Sequence, residues 1–321
     1  MQNVTPILHP LDHGITIIDL MERDLQGRTG GYVIEAEKIA LVETGSSLSA
    51  PYILAGLEKL NIKPEQVEYI IVTHIHLDHS GGAGYILPNF PNATVVVHPR
   101  GARHLIDPSR LIVGARAVYG DMLDTLFGPI EPIPEERVMI RSEGDTLDLG
   151  GGRILSFYDT PGHANHHFSI YDPVSEGIFT GDTVGIRYVK QFTGYDFETI
   201  FPSTTPSEFD RAAVFASVEK LQKLGARRIY HGHFGVTEPA EFAFERTQKT
   251  VAAFDDIARS CFNSGGGVEI LAEKLLEYIG QDLAEQGYPT DNLKPFEMES
   301  RFNAQGLIYS LERELKKKSN S

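Results

Sequence analysis

Short apolar runs, alternating or continuously β-branched, dominate the first two thirds of the chain. Residues 15–20, 31–35 and 39–43 predict three strands spaced as an antiparallel meander. Residues 51–60 predict a helix, because Ile53, Leu54, Leu57 and Leu60 recur at helical spacing and Ser49 stands where an N-cap belongs. Further strands are predicted at 69–73, 94–98, 154–159, 168–171, 177–180 and 228–230. Ahead of the last strand, residues 206–224 read as a helix whose broad apolar face includes Phe209, Phe215, Val218 and Leu221. From about Pro239 the periodicity turns helical, over 240–259, 267–280 and 303–318. This pattern predicts a mixed α/β domain over residues 1–238 and a helical C-terminal extension over 239–321. Residues 107–138 resist assignment; their stretch GPIEPIPEE (128–136) predicts an extended, proline-rich surface excursion.

The strand predicted at 69–73 runs directly into VTHIHLDHSGG (residues 72–82), which puts His74, His76, Asp78 and His79 within six residues. Alternate residues of extended chain point to one side, so His74 and His76 leave the strand end together. Asp78 and His79 follow where the chain turns, and Gly81 and Gly82 permit a tight fold behind them. Two adjacent ligand groups with different directions suit two neighbouring metals better than one. The arrangement recurs three times, at Thr160-Pro161-Gly162-His163, at Gly181-Asp182-Thr183 and at His231-Gly232-His233-Phe234-Gly235. Each is a predicted strand end with a glycine turn and an imidazole or carboxylate at its tip, where sheet proteins gather ligands. Imidazole and carboxylate suit zinc, iron or manganese.

Charge and cysteine content narrow the partners. A formal net charge of −15 argues against a nucleic-acid or anionic-membrane surface; only the tail Lys316–Lys318 is locally basic. The single cysteine, Cys261, excludes an internal disulfide framework, fits a cytoplasmic location, and reads as a small buried residue. MQNVTPILHPLDHG lacks a basic start followed by an apolar stretch, so no secretory leader is predicted, and no apolar run approaches the length of a membrane span.

The combination HxHxDH, distant His, distant Asp and final His resembles the metallo-β-lactamase-fold hydrolase superfamily over roughly residues 14–238. The resemblance implies an α/β fold, a four-layer αββα sandwich with metals at one edge of two facing sheets. It implies that His74, His76 and His163 hold one metal, that Asp78, His79 and His233 hold the second, and that Asp182 bridges them. Family members place the last ligand directly after the glycine, which favours His233 over His231 two residues earlier. Glu43, in VETG, stands where the family usually has Asp beside the ligands. His166 and His167 are expected to support the site, His167 with a hydrogen bond to a carboxylate or substrate; His9, His13, His98 and His104 are expected to be bystanders.

Two divalent cations, zinc before iron or manganese, held ~3.5–4 Å apart would lower the pKa of a shared water toward ~7. The expected function is a metal-dependent hydrolase whose bridging hydroxide attacks a small ester, thioester or lactone, as in the glyoxalase-II-like and lactonase-like branches. Asp78 is expected to orient the hydroxide or carry a proton to the leaving group. Aromatic residues past Asp182, namely Tyr188, Phe192, Tyr195, Phe197 and Phe201, are expected to form a substrate wall, with Tyr195 or Tyr188 donating to an oxyanion. Di-iron or mono-iron redox chemistry is the rival; the flavodiiron branch typically carries Glu where His76 stands. A phosphodiesterase and a ligand-binding regulator without turnover are further alternatives. Expected partners are a small-molecule substrate and a second copy of the chain, with neither nucleic acid nor membrane. The C-terminal helices are expected to cover the metal edge or a dimer contact, with Arg301, Asn303 and Tyr309 near the substrate.

Overall fold

The computed structural model describes residues 4–204 and 208–319. By contact, the chain divides into two compact units that interleave along the sequence. The first takes in residues up to Asp159, His166–Gly181 and Gly225–Ala240; the second takes in Thr160–Asn165, Asp182–Leu224 and the residues from Glu241 on. This division does not follow the boundary expected at 238/239, because segments 160–165 and 182–224 group with the C-terminal helices.

The first unit holds two mixed sheets. One sheet has the spatial order β1 (Leu8–Pro10), β2 (Ile15–Asp19), β3 (Gly30–Ile34), β4 (Ile39–Val42), β5 (Val67–Ile71), β6 (Thr94–Val97), β7 (Val138–Ile140). It is antiparallel through β4, as the meander spacing predicts, and parallel from β4 to β7. The central strands read as unbroken apolar runs because both their faces are covered. Ile53 and Leu57 of the helix Ala50–Lys59 are buried in one cluster with Ile18, Val33 and Leu41.

The second sheet combines β8 (Thr146–Asp148), β9 (Ile154–Asp159), β10 (Phe168–Asp172) and β11 (Gly177–Phe179) with two later strands. Strands β12 (Ile186–Tyr188) and β13 (Thr199–Phe201) form a separate antiparallel ribbon, and β14 (Arg228–Tyr230) and β15 (Val236–Thr237) complete the sheet beside β11. The two sheets meet through Tyr32, Phe179 and Tyr230, whose ring centroids stand 4.5–5.7 Å apart.

Several elements differ from the sequence pattern. Residues 107–138 are largely helical, with Ser109–Tyr119 and Leu123–Phe127 preceding the extended stretch and β7 closing it. Strands β1, β7, β8, β12 and β13, three residues each, lie outside the predicted strands. The helix expected from Pro206, which lies outside the described residues, begins at Arg211, where the Asp210 carboxylate accepts the Ala213 amide.

The second unit contains the β12–β13 ribbon and the helices Arg211–Gln222, Ala240–Asn263, Val268–Glu285 and Lys294–Ser319. Leu271 and Leu275 are buried, as the apolar face of 267–280 predicts, whereas Ile270 is exposed. An ion network around the buried Asp282 binds these helices: Asp282 accepts from Arg246 at 2.6 Å and from the half-exposed Lys249 at 2.8 Å. Among the described residues, no helix is long and apolar enough to cross a membrane.

Candidate metal centre

The donor run begins where β5 leaves its ladder at Ile71. His74 and His76 follow in irregular chain, and the short helix Leu77–Ser80 carries Asp78 and His79. Leu77, between His76 and Asp78, is buried in a cluster with Leu123 and Phe127, so one apolar side chain anchors the turn from within the motif. Gly82 is required by close approach, since a Cβ there would lie 2.7 Å from the Ser46 carbonyl oxygen. The His74 ring stands 4.5 Å from that of His76 and 4.2 Å from that of His79.

Asp78, His79 and His233 offer donor atoms that all lie within 4.8 Å of one another. The Asp78 carboxylate is 3.9 Å from His79 Nε2 and 3.6 Å from His233 Nε2. The opposite ring nitrogens face polar groups of the chain. His79 Nδ1 is 3.5 Å from Glu43 Oε2, and Glu43 Oε1 accepts the Thr73 amide. His74 Nδ1 lies 3.1 Å from Thr73 Oγ1, and His233 Nδ1 donates to the Arg28 carbonyl at 3.3 Å. The Arg28 carbonyl can only accept, so His233 carries its proton on Nδ1 and leaves Nε2 as a lone-pair donor.

His231 has a different task. Its Nε2 lies 2.9 Å from Thr237 Oγ1, and its carbonyl accepts from the Tyr32 hydroxyl, which also donates to Gly235 O at 2.8 Å. The turn is tight, with Phe234 and Gly235 both at positive φ. His231 therefore braces the turn that displays His233.

In the second unit, His163 Nε2 lies 3.5 Å from Asp182 Oδ2, both side chains being buried. His163 Nδ1 donates to the Ser203 carbonyl at 2.9 Å, repeating the grip seen at His233. Gly162, with φ near +133°, lets this loop pass the Val214 amide, which a Cβ would approach to 2.4 Å.

These donors fit a borderline divalent ion. Neighbouring ligands around a tetrahedral ion with bonds of ~2.0–2.1 Å stand ~3.3–3.4 Å apart. The His163–Asp182 and His233–Asp78 separations of 3.5 and 3.6 Å are close to that and long for hydrogen bonds. The donors are nitrogen and carboxylate oxygen, with the one cysteine buried elsewhere.

A family model described as the Metallo-beta-lactamase superfamily matches residues 31–233. The chain belongs to the metallo-beta-lactamase superfamily. Its mixed sheets and helices have that superfamily's fold, and a C-terminal helical region follows the matched residues. The chain is 27% identical over 248 residues to the metallo-beta-lactamase fold-containing protein ST1585 of Sulfurisphaera tokodaii, covering 76% of this chain and 86% of that protein. The crystal structure of ST1585 matches with a TM-score of 0.61 and 26% identity, over 75% of this chain and 86% of the other. Diflavin flavoprotein A 1 of Synechocystis is 34% identical over 190 residues, 58% of this chain and 29% of its own length. Atrochrysone carboxyl ACP thioesterase of Aspergillus fumigatus is 27% identical over 173 residues, 54% of this chain and 40% of its own length. The chain thus spans less than half of each of the last two relatives.

Several expected site residues of this superfamily member have other work. The Tyr195 hydroxyl donates to Asp291 at 3.0 Å; slight desolvation and that carboxylate push its pKa up. Tyr188 is buried, 4.5 Å from the Phe296 ring, and Phe197 stacks on Tyr288 at 4.9 Å, so these two build the core of the second unit. Arg301 donates to Glu269, Asn303 holds the Thr204 amide, and Tyr309 is exposed. His98 caps the helix Pro99–Ile106 by accepting the Arg100 amide; burial lowers its pKa against the pull of Asp159.

His166 and His167 both lie against His74, with centroids 6.2 and 4.8 Å away, and the His166 Nδ1 accepts the Ile75 amide. Arg28 and Tyr32 had no sequence signal, because one contributes a backbone carbonyl and the other a hydroxyl some 200 residues away in sequence.

Proposed function

We propose that the chain is a dinuclear metal-dependent hydrolase of a small ester, thioester or lactone. His74, His76 and His163 would hold one ion, Asp78, His79 and His233 the other, and Asp182 would touch both. The observation that carries this reading is the common construction of His163 and His233, each with Nδ1 donating to a backbone carbonyl and Nε2 within 3.6 Å of an aspartate, and with His79 Nε2 3.9 Å from Asp78 beside them. Asp182 is bonded to Gly181, where a Cβ would touch Thr73 and His167, and His163 precedes by three residues His166, whose ring is 5.3 Å from His76.

Such ions, when bound, lower the pKa of water toward ~7 and stabilise developing negative charge. The chain's own residues do the rest. The carbonyls of Arg28 and Ser203 orient His233 and His163, while Glu43 and Thr73 lie beside His79 and His74. Asp78, whose side chain is 23% exposed while that of Asp182 is buried, is the carboxylate donor with solvent access, suited to take a proton from water and pass it to a leaving group. The thioesterase relative supports a thioester or ester. The net charge of −15 supports a small substrate over nucleic acid or membrane and, with the single cysteine, a cytoplasmic setting.

The diflavin relative favours a second reading, redox chemistry, for which the flavodiiron resemblance implies iron. His76, where the flavodiiron branch typically has Glu, favours hydrolysis. Metal analysis with an absorption spectrum, followed by an ester, thioester and lactone panel on metal-loaded protein, tests the choice. Two colourless ions and turnover of one class support hydrolysis. Iron charge-transfer bands with no hydrolysis would replace it with the redox reading.

A further inference from the structure

The connection between β2 and β3 is more strained than a surface turn requires. Met21, Arg23 and Asp24 hold positive φ of 49°, 56° and 60°, a region that side-chain-bearing residues enter at a cost. Two buried carboxylates hold it there. Asp19 accepts the amides of Met21 at 3.0 Å and Gly27 at 2.8 Å. Glu22 lies 3.1 Å from Arg28 Nε and 3.3 Å from Arg23 Nε, and accepts the Thr29 hydroxyl.

Arg28 and Thr29 flank a single peptide group. The oxygen of that peptide accepts His233 Nδ1 at 3.3 Å, across 205 positions of sequence. One residue further, the Gly30 amide donates to the Gly232 carbonyl at 3.1 Å. A single carboxylate therefore grips the side chains on both sides of the peptide plane that receives the imidazole.

We infer that Glu22 is a positioning residue for His233. By holding Arg28 and Thr29, it aims the 28–29 carbonyl so that the His233 proton stays on Nδ1 and Nε2 faces Asp78. Its consequence for metal rests on the ligand reading above: the Asp78/His79/His233 set depends on Glu22 for affinity, and the His74/His76/His163 set does not. A buried carboxylate that merely neutralised Arg28 would change stability without distinguishing the two sets.

The test uses the full-length chain, stripped of metal and titrated with Co²⁺ against a competing chelator. Glu22→Gln is expected to bind one ion with wild-type affinity and the second ~10–100-fold more weakly. In the metal-free protein, long-range ¹H–¹⁵N NMR of the imidazoles is expected to show His233 as the Nδ1–H tautomer in the wild type and as a tautomer mixture in Glu22→Gln. Thr29→Val, which keeps the buried charges paired, is expected to shift both readouts the same way by less, and it carries the test if Glu22→Gln does not fold. Wild-type tautomer in a folded variant, or equal weakening of both ions, overturns the inference. If the wild type binds no metal, the ligand reading fails, and the tautomer measurement still decides the role of Glu22.

Discussion

One carboxylate, Glu43, reaches both halves of the donor run through His79 and Thr73. Its Oε2 lies 3.5 Å from His79 Nδ1, and its Oε1 accepts the Thr73 amide at 3.3 Å. Thr73 in turn holds His74 Nδ1 through its hydroxyl. Glu43 itself sits at φ 67°, a strained conformation for a side chain of that size. Removing its carboxylate in Glu43→Ala should weaken metal binding ~10–100-fold, read by competition with a chromophoric chelator. Wild-type affinity in that variant would make the contact incidental.

His76→Ala and Asp182→Ala should each lose bound metal and reduce turnover by at least ~10²-fold, whereas Cys261→Ala should change neither. Cys261 is buried in the helix Ala240–Asn263, remote in sequence from every donor. Metal content and initial rates on the same samples check this. Retention of both ions by Asp182→Ala would remove it from the proposed ligand set.

Tyr195→Phe separates two roles for one hydroxyl. With its proton engaged on Asp291, the variant should keep kcat within a few-fold of the wild type, whereas loss of an oxyanion donor would cost ~10²–10³-fold. A loss of that size in steady-state assays would restore Tyr195 to the catalytic machinery.

Gly181→Ala should be disproportionately damaging for one methyl group. Gly181 has φ near +46°, and a Cβ would come within 2.3 Å of Thr73 Oγ1 and 2.6 Å of His167 Nε2. Both contacts are beside proposed ligands, so a stability loss of ~1–3 kcal/mol in urea melts should accompany weaker metal binding. Normal affinity in the variant would show that this strand end can shift freely.

Acid should expose the Glu22 ion network. Burial alone would raise the Glu22 pKa, but Arg28, Arg23 and His233 override it and hold it at about 2, below the ordinary 4.5. The folded state therefore takes up the proton less readily than the unfolded chain. The stabilisation is complete above about pH 4.5 and disappears as pH falls through about 2. Melting temperature followed over that window should fall less steeply in Glu22→Gln than in the wild type; parallel curves would contradict the assignment.

Sequence alone determined the central strands, the helical C-terminal region and the positions of the candidate donors. The reason is that β5, β9, β11 and β14 are apolar runs ending in glycine turns, and their tips carry side chains whose chemistry is visible in one letter. Tertiary structure alone decided the rest. Edge strands such as β1 and β7 exist because a neighbour supplies their hydrogen bonds, and residues 109–127 are helical where a proline-rich excursion dominated the pattern. The hydrogen bond of His231 to Thr237, that of Tyr195 to Asp291 and the role of Arg28 rest on partners between 6 and 205 positions away. A backbone carbonyl is the same in every residue, so only the folded chain reveals which one orients an imidazole.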